Sequence, residues 1–349
     1  MTASWISERT AWRQDVHAAP RDAGIDSMRG IAILMVIGIH SLPQPLGTPW
    51  GIILDAALRP CVPIFLFASG FLTARSGRVA LTKRLRAALI PYTIAFMAAY
   101  IYMAMHNPAM DHRVMTTVAR YGLAYVFVYY YVFVYLGCTV MVWLALRTVK
   151  TRDPKDQPEY LAIILLLAIT VGLIIGSYID PLLDRLGASS SLIQEVRLRD
   201  ILFWFCFVAL GMLVGMRYSL RCLEQSRTLL IGATLALFAI YAVARVIVIG
   251  DAADYDSMAF FGYSALLCVT LLTMQIQLPA LASLGSGSYF LYLWHIFIIM
   301  ILRDHSPLRN FGLIIDFVVT YLIAVVASVC ALRIVRTLAS PRVTRWLGA

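Results

Sequence analysis

The sequence predicts an all-α polytopic membrane protein of about ten transmembrane helices, with both termini in the cytoplasm. Three observations carry this. First, 61% of the 349 residues are hydrophobic, only 14% are charged, and the mean hydropathy is +0.79. A soluble fold of this length has too little interior to hide that much apolar surface. Second, apolar runs long enough to span a bilayer recur along the whole chain. Third, the cations segregate. Twenty Lys and Arg residues fall on one alternate set of loops and tails and seven on the other, with Arg59 and Arg245 inside spans. The positive-inside rule places the richer set, and both termini, in the cytoplasm.

The elements follow in order. A polar tail, residues 1–24, carries no apolar run ending in a small-residue cleavage site, so the first span is expected to act as an uncleaved anchor. Spans are expected at about 29–46, 51–73, 87–105, 121–146 and 159–179, then at 200–216, 227–249, 257–278, 286–302 and 311–336. The sixth is short and the last long, which tilt absorbs. An even count agrees with both termini on one side. The stretch 151–158, with two prolines, reads as a loop and not a boundary. The expected organisation is therefore one membrane domain over 25–338, with cytoplasmic tails 1–24 and 339–349. The six cysteines are scattered through apolar runs without a Cys-x-x-Cys and read as small apolar fillers. The net charge of +10 belongs with cytoplasmic loops on anionic membrane lipid and not with nucleic acid.

The first span carries the candidate chemistry. Asp26, Arg29 and His40 lie near one face of the helix: Arg29 to His40 is 11 positions, a rise of about 16 Å, or roughly half the bilayer core. An ionisable group inside a span is costly and marks function by default. The plainer reading is that Asp26 or Ser27 caps the helix, Arg29 snorkels to phosphate and His40 is a satisfied core residue. The second span holds Asp55 and Arg59 four apart, spaced to pair. Arg245 has no acid within its own helix and needs Asp251, Asp254, Asp256 or a ligand. Asp316 stands five residues into the last span.

Further along, Pro63 removes one helix hydrogen bond and frees a carbonyl, and Ser69-Gly70 permits close backbone approach. A basic run follows: Arg75, Arg78, Lys83, Arg84 and Arg86, before Pro91. It suits anionic lipid or a phosphate-rich ligand such as coenzyme A. In the ninth span Ser288, Tyr292 and His295 are spaced four and three and share a face. Tyr129 to Tyr131 and Tyr135 form an aromatic stripe, a pattern more common in packing than in ligand sites. No Gly-rich phosphate loop and no metal-ligand motif is present.

Four of these segments together resemble the membrane-bound acyltransferase 3 family. They are the Asp26-x-x-Arg29-Gly opening with His40 after ten intervening positions; Pro63 to Phe71; Lys83-Arg84-Leu-Arg86 to Pro91; and Ser288 to His295. Ala87 stands where many members carry a further basic residue. The resemblance spans about 24–335 and lacks the secreted domain appended in some members. It implies a bacterial inner-membrane O-acyltransferase that takes an acyl group, acetyl or succinyl, from cytoplasmic acyl-CoA. The acceptor it implies is a hydroxyl of a cell-surface glycan or lipid-linked sugar. His40, Arg29 and Asp26 would be catalytic, with His40 the general base. Arg84, Arg86, Ser69, Ser288, Tyr292 and His295 would contact substrate. Acyl-CoA acts there as co-substrate, with no bound cofactor and no metal. Arg59 and Arg245 are further candidates, on their position alone, for an oxyanion or an anionic acyl group. The competing readings are a transporter or flippase using the buried charges as substrate contacts or a proton relay, and an assembly subunit without chemistry.

Overall fold

A computed structural model describes residues 22–107, 109–126, 128–217, 220–248 and 257–349. The first 21 residues and the acidic residues Asp251, Asp254 and Asp256 lie outside them. The described residues form helices joined by short turns, with no strand among them. In chain order these are α1 (Ala23–Ser41), α2 (Pro49–Leu58), α3 (Cys61–Ser76), α4 (Leu81–His106), α5 (Val114–Gly122) and α6 (Tyr130–Val149). Then come α7 (Gln157–Arg185), α8 (Ser190–Leu198), α9 (Ile201–Arg217), α10 (Leu220–Gln225) and α11 (Arg227–Val246). The last are α12 (Met258–Met274), α13 (Pro279–Ser286), α14 (Ser288–His305), α15 (Leu313–Leu338) and α16 (Pro341–Leu347).

Among the described residues, eight helical stretches are long and apolar enough to cross a membrane: α1, α2 with α3, α4, α6, α7, α8 with α9, α11 and α15. The protein is thus a multi-pass membrane protein. The other two expected spans take different forms. The ninth is broken at Gly287, where α13 and α14 meet at 80°. The eighth, α12, is apolar but only 17 residues long.

Several boundaries differ from expectation for local reasons. α1 begins at Ala23, because the Asp22 carboxylate accepts the amides of Gly24 and Ile25 at 3.0 and 3.2 Å. Asp22, not Asp26 or Ser27, therefore satisfies the orphan donors of the first turn. The second span breaks after Leu58. Pro63 offers no amide to the Arg59 carbonyl, which takes the Cys61 thiol instead at 3.6 Å. The expected fourth span starts later than 121: α6 begins at Tyr130, and the short α5 ends before it at Gly122.

Two backbone crossings organise the interior. At the first, α13 lies against α1: a Cβ on Gly30 would stand 2.1 Å from the Leu281 carbonyl oxygen, and one on Gly285 only 1.8 Å from that of Asp26. At the second, α3 and α9 meet through Gly70 and Gly211, whose added Cβ atoms would each lie 2.1 Å from a carbonyl of the other helix. Small residues let helices in lipid approach to backbone contact, where dispersion replaces the missing hydrophobic drive. Beside the second crossing Phe203, Trp204, Phe207 and Phe260 form a fully buried aromatic cluster. α7 instead leaves Ile163, Leu166, Leu167, Val171 and Ile174 exposed, as a lipid-facing helix does. Cys61, Cys138, Cys206 and Cys268 are buried free thiols, in keeping with their reading as fillers.

α16 returns toward the bundle. Ser340 caps it, Gly348 packs against Pro91 and Tyr289, and the Trp294 indole donates to the Leu347 carbonyl at 3.4 Å.

Candidate active site

α1 and α14 run side by side in the same direction, and this pairing builds the site. At its base Arg29 reaches across: its Nη2 donates to Ser288 Oγ at 3.1 Å, while Nη1 pairs with Asp26 Oδ1 at 3.3 Å. Asp26 thus orients Arg29 and offsets part of its charge. Ser288 is buried as the first residue of α14, where the chain resumes after the break at Gly287.

Arg29 and Ser288 form one wall of a cavity of about 330 Å³ between α1, α3, α4, α6 and α14. Ser69 and Phe65 line it from α3, Arg84 from α4, Tyr131 and Tyr135 from α6, and Tyr289 and Tyr292 from α14. Arg84 is steadied by a 2.9 Å bond from its Nη1 to Thr73 Oγ1. The lining holds two guanidinium groups and no carboxylate. An anionic ligand fits that balance, and bidentate arginines suit phosphate best.

Above the cavity stand the two histidines, with ring centroids 5.5 Å apart. Tyr292 connects the levels: it lines the cavity, its ring centroid is 6.4 Å from that of His295, and its hydroxyl donates to the Val128 carbonyl at 2.6 Å. His295 is fully buried and is fixed by Nδ1, which lies 3.0 and 2.9 Å from the Leu291 and Tyr292 carbonyls. His40 closes α1, and there Arg303 intervenes. Its Nη2 donates to the carbonyls of His40 and Leu42 at 2.7 and 2.8 Å, a cation on the orphan acceptors of a helix end.

The structure therefore brings together Asp26, Arg29, Ser69, Arg84, Ser288 and Tyr292, with His295 and His40 beyond Tyr292. Other candidates stand elsewhere. Arg86 is exposed and does not line the cavity. Arg59 and Arg245 converge instead on Asp55: Arg59 Nε and Arg245 Nη2 both reach Asp55 Oδ2 at 2.6 Å. Asp55, 190 residues away in sequence, is thus an acidic partner of Arg245; the aspartates of the following loop lie outside the described residues. Asp316 is buried and accepts from the Thr320 hydroxyl at 3.2 Å.

The sequence offers Tyr131 and Tyr135 as a stripe of the kind more common in packing, and does not single out Tyr289 or Arg303. The four-residue spacing of Tyr131 and Tyr135 was visible, but nothing local separates a lining aromatic from a packing one. Arg303 is, in sequence, one of the seven cations of the poorer set of loops. No group of three or more His, Cys, Asp or Glu side chains that could hold a metal occurs among the described residues.

The family model of an acyltransferase domain matches residues 22–333, nearly the whole chain. No curated protein and no solved structure matches. The match covers the four motif segments and every helix that builds the cavity, and the chain belongs to the acyltransferase 3 family of membrane acyltransferases.

Proposed function

We propose that the protein is an O-acyltransferase of the bacterial inner membrane. It takes an acyl group from cytoplasmic acyl-CoA and places it on a hydroxyl of a cell-surface glycan or lipid-linked sugar. One observation carries the reading. The carboxylate-free cavity with Arg29 and Arg84 is walled in part by α1 and α14, the helices that carry His40 and His295, and lies one step below them through Tyr292. With both termini cytoplasmic, as the loop charges favour, Arg29 and Arg84 sit toward the cytoplasmic side and the histidines deeper in the membrane.

In this scheme Arg84 and Arg29 attract the phosphates and steady the thioester end of acyl-CoA. The tyrosine-lined cavity receives the pantetheine arm. His40 removes the proton from the acceptor hydroxyl as its oxygen bonds to the thioester carbon, and the departing thiolate takes that proton. Imidazole suits the task because its ordinary pKa lies near neutrality. Asp26 keeps Arg29 in place. Acetyl-CoA and succinyl-CoA are both candidate donors.

The test uses purified protein and radiolabelled acetyl-CoA or succinyl-CoA, with membrane glycolipid extract as acceptor. Wild type is expected to transfer label and release CoA, and His40→Ala to fall at least about 100-fold, the usual contribution of a general base. Equal background release from both proteins, with the wild type folded, would turn the reading toward a transporter.

A further inference from the structure

His295 has one committed nitrogen and one idle nitrogen. Nδ1 faces two carbonyl oxygens, at 3.0 and 2.9 Å, and carbonyls only accept. Nδ1 therefore carries the hydrogen of the neutral ring, and Nε2 keeps the lone pair. Nε2 is buried and has no hydrogen-bond partner. A buried acceptor left unpaired is costly, so such a group points to a donor that arrives.

The neighbouring rings identify that donor. Tyr292 and His40 lie closest to His295 among the ring pairs, at 6.4 and 5.5 Å between centroids. The Tyr292 hydroxyl is already given to the Val128 carbonyl. The imidazole of His40 remains. Two imidazoles joined by an N–H···N bond have centroids about 5 Å apart, so the observed 5.5 Å is closed by a small ring rotation.

We infer that His295 is a positioning residue for His40. In the reactive complex its Nε2 accepts the ring N–H of His40, so the opposite nitrogen of His40 holds the lone pair that meets the acceptor hydroxyl. The inference rests on the acyl-transfer reading above. The proton count is unchanged: His40 takes the hydroxyl proton while the C–O bond forms and the C–S bond breaks, then hands it to the thiolate. His295 keeps its own proton on Nδ1 throughout and steadies the imidazolium that forms on His40. A triad carboxylate does the same work in soluble hydrolases. A neutral imidazole does it without placing an anion inside a span.

The test compares full-length wild type, His40→Ala, His295→Leu and His295→Gln in nanodiscs, with labelled acetyl-CoA or succinyl-CoA and glycolipid extract. His295→Leu is expected to lower kcat by about 100-fold while KM for the acyl-CoA moves less than about twofold, the scale of losing a partner that orients an active histidine. His295→Gln sets a carbonyl oxygen near the place of Nε2 and is expected to recover at least about tenfold of that loss. A purely structural histidine gives no such split and no such rescue. A second readout needs no turnover: ring ¹⁵N shifts of labelled protein in the dead-end complex with CoA and glycolipid extract should show a single His40 tautomer in wild type and a mixture in His295→Leu. Full turnover in a folded His295→Leu, or equal loss in the Leu and Gln variants, overturns the inference. So does a tautomer mixture in wild type, which covers the case of a leucine variant that fails to fold. Full transfer by His40→Ala, or none by wild type, strikes the acyl-transfer reading instead, and the ¹⁵N shifts then decide whether His295 orients His40.

Discussion

At the scale of single residues, the structure separates charges that share a cavity from charges that hold the fold. Asp55 is buried under two guanidinium groups that both reach its Oδ2. Removing the carboxylate takes a shared partner from two buried cations, and breaking such a cluster typically costs about 3–5 kcal/mol. Asp55→Ala is therefore expected to lower the thermal midpoint in detergent sharply, and a double change that also replaces Arg59 by Met should recover part of the loss. Arg84 behaves differently. It is only half-buried, with a hydroxyl as partner, so Arg84→Gln should leave the midpoint nearly unchanged and raise KM for acyl-CoA about tenfold, the worth of one charge-assisted bond. The local sequence separates Arg59, four residues after Asp55, from Arg84, which stands in a run of cations. What the distant chain adds is Arg245, which completes the buried cluster.

At the scale of elements, α1 is gripped at both ends. At its start the backbone crosses α13 through Gly30 and Gly285. Gly285→Ala would drive a methyl into the Asp26 carbonyl, so it is expected to part the helices, disturb the Asp26–Arg29 pair and abolish transfer. At its far end Arg303 satisfies the His40 and Leu42 carbonyls. Arg303→Gln removes a charged donor worth about 1.5–3 kcal/mol, and should show both a lowered thermal midpoint and faster amide exchange in the turn after Ser41. The helices themselves were legible as apolar runs, and the Asp55–Arg59 pair as a four-residue spacing. The helix breaks were written less openly: Pro60 and Pro63 flag one, and Gly285-Ser-Gly287 flags the other without giving its angle.

At the scale of the whole molecule, the fold class was readable because bulk hydropathy depends only on composition and run length. The candidate site was readable in part: Asp26, Arg29, Ser69, Arg84, Ser288 and Tyr292 meet as their motifs suggested. Arg303 and the aromatic wall emerged only with the packing, because the contact of Arg303 with His40 spans 263 residues. The proposed topology has its own test. Single cysteines introduced at Arg113 and Arg152, in a background with the native cysteines replaced, should react with an impermeant thiol reagent from opposite faces of sealed vesicles. Labelling of both from one face would overturn the alternate placement of these two loops.

The break at Gly287 bears on the cavity in a way no side chain does. A span that stops and restarts exposes the first amides of the new helix, and α14 begins at the cavity wall with Ser288. Those amides add a positive field that neither titrates nor departs on mutation of Arg29. Neutralising that arginine should therefore weaken the hold on an anionic substrate without erasing it, and raising the pH should not release it.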